Sequence, residues 1–176
     1  MPRPEPGPGD VLVQVEVALT DSTDAKTFQR GHPLLLDEIP SPFGHEFCGV
    51  DVASGRRVVA ANSAADERPL TELELLNGAY AEYLLVPERI ARVNLLPVPD
   101  TLPPEVAALV EPLACCLYGV ERAELEPSQT VAILGAGPIG LMLSACVSDA
   151  GGTPVIVGGR AERRELAPAF GGRPGD

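Results

Sequence analysis

The sequence has few aromatic and few basic residues. Among its 176 residues there is no tryptophan, and aromatic residues make up 4%. The hydrophobic core must therefore be aliphatic. Lysine and arginine together number 13 against 25 acidic residues, which gives a formal net charge of −12. Because phosphate contacts need clustered cations, this balance argues against nucleic acid and against an anionic membrane surface as partners.

Three other classes of protein are also disfavoured: cysteine-based zinc or redox motifs, secreted proteins and membrane-spanning proteins. The four cysteines show no C-x-x-C spacing, which argues against a zinc knuckle or a thioredoxin-like motif and favours buried free thiols. The N-terminal segment MPRPEPGPGD has no apolar stretch of the secretory type, so we expect a cytoplasmic protein. The uncharged run 127–148 is long enough to suggest a membrane span, but glycine and proline in its middle favour a strand, a turn and a helix.

Residues 10–98 are predicted to form a β-rich region of short strands, suited to a small barrel or a folded sheet. Valines occupy alternate positions of one predicted strand, DVLVQVEVAL, and share one of its faces: Val11, Val13, Val15 and Val17. Further strands are predicted in FCGVDVAS, RRVVAAN and AYAEYLLVP, and an extended segment in ARVNLLPVPD. A short helix that ends at Gly31 is predicted in TDSTDAKTFQRG, and ADERPLTELELLNG is an acidic connection.

The pattern changes at residue 103. PPEVAALVEPLACCLYGVERA is predicted to be mainly helical, with Pro112 as an interruption. The strand TVAILGA, the helix PIGLMLSACVSDAG, the strand TPVIVGG and the helix AERRELAPAFGG follow. Apolar strands that alternate with helices indicate a parallel sheet covered on both faces. The predicted fold is therefore α/β with a β-rich part, with domains at 1–120 and 121–176.

A glycine motif of the form G-x-G-x-x-G joins the first of these strands to its helix. The first glycine allows a tight turn, the second lets the backbone approach a pyrophosphate, and the third lets the helix pack against the strand. Backbone N–H groups at the helix start then face the anion. The candidate cofactor-binding residues are Gly135, Gly137, Pro138, Ile139 and Gly140. The alternative is a turn that merely needs glycines.

The residue that would select between NAD and NADP is less clear. An acid about 20 residues after the glycines usually binds the ribose hydroxyls of NAD. Here that position reads VGGR, with no acid, and Arg160 is a candidate to bind the 2′-phosphate of NADP. The alternative is a solvated loop arginine, so both cofactors stay open.

Three segments precede the glycine motif in a fixed order: GHEFCG (44–49), NGAYAEYLLVP (77–87) and LVEPLACCLYGVERA (109–123). Together with that motif, they resemble the medium-chain dehydrogenase/reductase family, in its zinc-type branch near the sorbitol and threonine dehydrogenases. The resemblance implies a GroES-like catalytic domain followed by a Rossmann domain that binds NAD or NADP. It also implies oxidation of a small alcohol or polyol by hydride transfer.

The resemblance also implies a catalytic zinc site. Asp21 stands where the family places a cysteine ligand, His45 matches the histidine ligand, and Glu111 matches the glutamate that the polyol branch places at the metal. Glu46 is the adjacent acid, and Thr23 matches the hydroxyl residue that relays the alcohol proton. Aspartate can bind zinc but is a harder ligand than a thiolate. Alternatively, the histidine is a hydrogen-bonded core residue and the glutamate a helix-surface acid.

The chain departs from the family in several places. The space where the family often carries a four-cysteine lobe holds SAADERPLTELELLN, which implies that the structural zinc is absent. The first strands of the catalytic domain and the later Rossmann strands are not in the sequence, so we expect a dehydrogenase truncated at both ends, with a two-stranded parallel sheet. That sheet is expected to leave four apolar side chains poorly covered: Val131, Ile133, Val155 and Val157.

Two functions follow from these patterns. The first is a zinc-type alcohol or polyol dehydrogenase that uses NAD or NADP, impaired by truncation. The second is a non-catalytic pseudoenzyme or gene remnant that acts, if at all, as a binding module through the exposed sheet edge. A complementary chain or a second copy would cover that edge.

Overall fold

A computed structural model describes residues 2–31, 41–62 and 75–175. The chain forms two compact units, Met1–Glu111 and Pro112–Asp176. The domain boundary near residue 120 stays a prediction. The acidic connection that follows RRVVAAN lies mostly outside the described residues.

The first unit contains a five-stranded antiparallel sheet with the strand order β4-β1-β2-β3-β5. Its strands are β1 (Val11–Ala18), β2 (Phe47–Asp51), β3 (Arg57–Ala60), β4 (Tyr83–Val86) and β5 (Leu95–Pro97). The predicted strands in this region are therefore confirmed. The single valine face is broken, because a bulge shifts the register of β1 against β2 between Val15 and Val17.

The helices that begin in this unit are α1 (Ser22–Arg30), α2 (Glu88–Asn94), α3 (Pro104–Ala107) and α4 (Val110–Arg122). The extended reading of ARVNLLPVPD is wrong for its first residues, because α2 continues to Asn94 and buries Ile90 completely. Pro112 does not interrupt the helix. It lies in the first turn of α4, where a missing N–H costs no intrahelical bond, and the break falls between α3 and α4.

The first unit is held by an apolar core between the sheet and α2, which is aliphatic apart from Phe47. Its fully or almost fully buried members are Val13, Phe47, Val58, Ala60, Leu76, Ala79, Leu84, Val86 and Ile90. Each large apolar side chain contributes about 1.5–3 kcal/mol on burial. Phe47 directly follows Glu46, so the core fixes one end of the segment that carries the candidate metal residues.

The second unit contains a parallel sheet with the order β6-β7-β8, made of Thr130–Leu134, Thr153–Val157 and Arg173–Pro174. Helix α5 (Pro138–Asp149) links β6 to β7. The strand, turn and helix prediction is thus confirmed, but the sheet has a third short strand where two were predicted. The final helix is also divided, into α6 (Ala161–Arg164) and a 3-10 helix at Ala167–Phe170 that contains Pro168.

The expected poor covering of β6 and β7 is wrong for two residues. Ile133 and Val155 are buried, because Ile133 packs with Leu141 of α5 and joins one core with Ile156. Successive side chains of a strand point to opposite faces. The large apolar side chain of β6 that is uncovered is instead Leu134, which is 86% exposed.

An apolar cavity of about 420 Å³ lies along β6 in the second unit. Its lining includes Val120 and Leu125 on one side and Ile133, Ile139 and Leu143 on the other. Within the parts of the chain that the structure describes, no helix has both the length and the apolar character needed to cross a membrane.

Candidate functional site

The first candidate site is built around the turn that joins β1 to α1. Asp21 caps α1: its Oδ1 accepts a hydrogen bond from the backbone N–H of Asp24 at 2.8 Å, and Oδ2 of Asp24 accepts one from the N–H of Asp21 at 3.1 Å. This reciprocal pair is a capping box. It fixes two carboxylates at the end of β1, and Asp24 is only 4% exposed.

His45 and Glu46 enter the site from the extended segment before β2. Both are buried, with exposed fractions of 8% and 3%. Gly44 has a φ of 86°, and a Cβ at that position would lie 2.8 Å from the ring of Tyr80. Only glycine therefore lets the chain turn under this ring and direct His45 toward α1.

The structure brings Asp21, His45 and Glu46 together, with one possible ligand atom of each within 4.8 Å of the others. His45 Nδ1 lies 3.5 Å from Asp24 Oδ1, which is an ion-pair distance rather than a hydrogen bond. A carboxylate beside Nδ1 favours a proton on that nitrogen and leaves Nε2 as the nitrogen available to a metal.

Glu111, in the first turn of α4, adds a further carboxyl to this cluster through a side-chain hydrogen bond with Glu46. Burial, and then the charges of Asp21 and Glu111, raise the pKa of Glu46 to about 7. Burial also raises the pKa of Glu111, against the opposing effect of His45. The hydrogen bond favours a protonated Glu46 that donates to an ionised Glu111.

These residues fit a divalent cation. One imidazole and several carboxyl groups can supply three or four donors, which suffices for zinc, although carboxylates are harder ligands than thiolates. The crowded carboxyls favour a cation because its charge would offset their mutual repulsion, which adds to burial in raising the pKa of Glu46. The ligand roles of Asp21, His45 and Glu111 stay predictions.

Thr23 lies half-buried in the first turn of α1, two residues after Asp21. Its predicted role as a proton relay stays a prediction. Sequence analysis missed two residues of the site, Asp24 and Tyr80. The spacing of Asp21 and Asp24 resembles a capping box and could have indicated the first, whereas no sequence signal indicated that the Tyr80 hydroxyl reaches Asp24.

The second candidate site is the glycine turn between β6 and α5. Gly135 has a φ of 105°, and its N–H donates to the carbonyl of Val157 at 2.8 Å. A Cβ at Gly135 or Gly137 would meet no atom within 4 Å, so the space above the turn is open. α5 begins at Pro138 with no side-chain cap, so its first N–H groups are available. The turn therefore fits a pyrophosphate.

Arg160 follows β7 and is exposed at the start of α6. Two glycines with positive φ precede it, Gly158 and Gly159. The guanidinium of Arg164 donates to the carbonyl of Gly159 at 2.8 Å and fixes this turn. The predicted role of Arg160, binding of a 2′-phosphate at the end of β7, stays a prediction.

Comparison with known proteins gives one match to a domain family and several matches along most of the chain. Residues 7–100 match the alcohol dehydrogenase GroES-like domain. The chain is 29% identical to L-galactonate-5-dehydrogenase of Escherichia coli (strain K12), across 92% of this chain and 52% of that protein. It is 30% identical to (R,R)-butanediol dehydrogenase of Bacillus subtilis (strain 168), across 96% of this chain and 56% of that protein.

Solved structures of dehydrogenases also match this fold along nearly the whole chain. One from Sinorhizobium meliloti 1021, described as a zinc-binding dehydrogenase bound to NADP, has a TM-score of 0.83 and 33% identity, and covers 97% of this chain and 55% of that one. The chain spans about half the length of the curated relatives it matches. The fold and these matches show that the chain belongs to the zinc-type branch of the medium-chain dehydrogenase/reductase family.

Proposed function

We propose that the protein is an oxidoreductase that oxidises a small alcohol or polyol, with a divalent zinc ion in the first unit and NAD or NADP at the second. The observation that carries this proposal is the close group of Asp21, His45 and Glu46, in which His45 and Glu46 are buried and Asp21 is half-buried, with the buried Asp24 beside it. Burying so many acidic groups costs free energy, and a bound cation would offset that cost.

When bound, zinc supplies Lewis-acid polarisation of the substrate oxygen. The residues of the chain have separate tasks. Asp21 and His45 would hold the ion together with Glu111, which joins the close group of Asp21, His45 and Glu46 through its hydrogen bond with Glu46. Asp24 would orient His45. Thr23 would take the hydroxyl proton of the alcohol while passing on its own, and a nicotinamide cofactor, when bound, would accept the hydride from the carbon that bears that hydroxyl.

The environment of Glu46 suits a carboxyl that gains and loses a proton. A carboxyl with a pKa near 7 exchanges a proton readily at neutral pH, and this one has Glu111 as its hydrogen-bond partner. We infer that Glu46 holds a proton when the site has no cation and releases it when the cation binds. Metal uptake should therefore release protons from the protein.

The second unit supplies the cofactor site. Gly135 and Gly137 leave room for the pyrophosphate, which the start of α5 attracts. The S. meliloti relative is bound to NADP. Arg160, with no acid at the end of β7, supports the same preference here, because a guanidinium suits a 2′-phosphate.

The test measures metal content and turnover together. The purified chain is loaded with zinc and dialysed, its metal content is determined, and NAD(P)H formation is followed over a panel of alcohols and polyols. We expect bound zinc in the parent and loss of most of it in His45→Ala. Cys48→Ala is a matched control, because Cys48 is buried three residues later outside the cluster.

The alternative is a protein that binds the cofactor or a partner without turnover. The apolar cavity along β6, whose lining includes the exposed Leu134, favours it, because a contiguous apolar surface is a common binding site. Zinc binding without NAD(P)H formation on any substrate would support this alternative. Absence of stoichiometric zinc in the parent would contradict the metal site itself.

A further inference from the structure

Tyr80 connects two of the three segments of the chain that carry the candidate metal residues. Its backbone N–H donates to the carbonyl of Phe43 at 3.0 Å, and the N–H groups of Gly78 and Ala79 donate to the carbonyl of Gly44 at 2.8 and 3.0 Å. The ring of Tyr80 lies over Gly44. Main-chain bonds therefore hold this tyrosine against the residue that directly precedes His45.

The hydroxyl of Tyr80 reaches in the other direction, to the start of α1. It lies 2.7 Å from Oδ2 of Asp24, 2.8 Å from the carbonyl oxygen of Leu19 and 3.1 Å from the hydroxyl of Thr20. One phenolic hydrogen thus faces two oxygens that can only accept. The carboxylate is the stronger acceptor because it is charged, so the hydrogen goes to Asp24.

Asp24 is in turn the partner of His45. Its Oδ2 accepts from Tyr80 and from the N–H of Asp21, and this leaves Oδ1 directed at His45 Nδ1, 3.5 Å away. Loss of the tyrosine hydrogen bond would leave Oδ2 held only by the N–H of Asp21 at 3.1 Å, and would therefore loosen the orientation of the carboxylate. Asp24 is 4% exposed, so water would not readily replace that donor.

We propose that Tyr80 is a positioning residue for the metal centre, acting through Asp24 to fix the orientation and tautomer of His45. The inference rests on the proposed metal site. It adds the hydroxyl of Tyr80, which lies 56 positions after Asp24 in the chain and whose hydrogen-bond partners are Leu19, Thr20 and Asp24 rather than the candidate ligands of the metal. Partners of this kind typically change metal affinity by about 10- to 100-fold when they are removed.

The experiment measures cobalt(II) affinity of the full chain by titration of its visible absorption. Tyr80→Phe removes one oxygen and keeps the ring over Gly44. We expect affinity to fall about tenfold. Tyr83→Phe is the matched control, because Tyr83 is also an aromatic residue of this region but its ring contacts Arg3 instead. We expect that control to bind within about twofold of the parent.

A double-mutant cycle separates positioning from general loosening of the fold. If Tyr80 acts through Asp24, then Asp24→Asn combined with Tyr80→Phe should bind cobalt no more weakly than Asp24→Asn alone. Circular dichroism at the titration temperature shows whether each variant is folded. For a variant that is not folded at that temperature, the cycle is measured at a lower one.

The outcomes are distinct. A tenfold loss in Tyr80→Phe that disappears in the Asp24→Asn background supports the inference. Parent-like affinity of Tyr80→Phe, or losses that add in the double variant, overturns it while the metal site stands. Failure of the parent to bind cobalt, or equal binding by His45→Ala, overturns the proposed metal site and this inference with it.

Discussion

Gly140 and Gly137 lie in one phosphate-binding motif, yet the structure predicts opposite effects of the same substitution. A Cβ at Gly140 would lie 2.0 Å from the backbone carbonyl oxygen of Gly135, where real Cβ atoms essentially never come closer than 3.0 Å. The backbone of Gly135 is itself fixed, because its N–H donates to the carbonyl of Val157 in β7. In Gly140→Ala, α5 must therefore move away from β6 by about 1 Å.

The cost of this movement can be worked out from two opposing effects. Overpacking a tight contact costs about 1–3 kcal/mol, and a backbone obstacle places this case at the upper end. Alanine in a helix recovers about 0.5–1 kcal/mol relative to glycine. The net loss is about 2 kcal/mol. For a unit of this size that lowers the midpoint of thermal unfolding by about 8–16 °C.

Gly137→Ala is the matched control for folding. Gly137 has a φ of −81°, and a Cβ there would meet no atom within 4 Å. Alanine replaces glycine at the helix N-cap at a cost of at most about 1 kcal/mol. The new methyl group fills the space that a pyrophosphate would take. We therefore expect nearly parental stability and at least about a tenfold loss of NADP affinity, about 1.4 kcal/mol.

Two measurements test this pair. Thermal unfolding followed by circular dichroism gives stability, with hydrogen exchange over residues 130–149 to locate the change. Calorimetric titration with NADP and with ADP gives affinity. The reasoning is refuted if Gly140→Ala unfolds within about 2 °C of the parent, or if Gly137→Ala proves the less stable of the two.

Three further predictions concern other residues. Burial and the neighbouring Asp21 raise the pKa of Glu46 to about 7, so the stability contributed by its protonated form is complete below about pH 4.5 and is lost as the pH rises through 7. In the chelator-treated protein, Glu46→Gln should therefore stabilise the fold by about 1–2 kcal/mol at about pH 8, a value that allows for screening by solvent. The same substitution should have little effect at about pH 4. Equal effects on urea unfolding at both pH values would contradict this prediction. Ser144 is fully buried in α5, and its hydroxyl has no hydrogen-bond partner among the described residues, so Ser144→Ala should raise the free energy of unfolding by about 1 kcal/mol, and a loss would show that the hydroxyl is bonded. Arg160→Ala should weaken NADP more than NAD in calorimetry, whereas equal losses would show that Arg160 only belongs to the loop.

Local patterns predicted the elements because each is set by nearby residues. Alternating valines gave β1, and the apolar run before the glycine motif gave β6. The prediction failed where tertiary burial overrode local preference. Asn94 ends a helix rather than an extended segment, because burying Ile90 in the core favours the turn of α2.

The candidate site was only partly predictable. His45 and Glu46 are adjacent in the sequence and could be identified together. The hydrogen bond between Glu46 and Glu111, and the contact of Tyr80 with Asp24, join residues from distant parts of the chain. Their proximity depends on how distant segments of the first unit fold together, which no local sequence pattern can predict.

The capping role of Asp21 has a consequence for how this protein depends on metal supply. By resemblance, the family places a cysteine here, and a thiol is a poor helix cap but a strong zinc ligand. Aspartate instead bonds the first turn of α1 through Oδ1 with or without an ion nearby. The first turn of α1 is therefore expected to form before any metal binds, and metal scarcity in the cell should lower the occupancy of the proposed site without lowering the abundance of the protein.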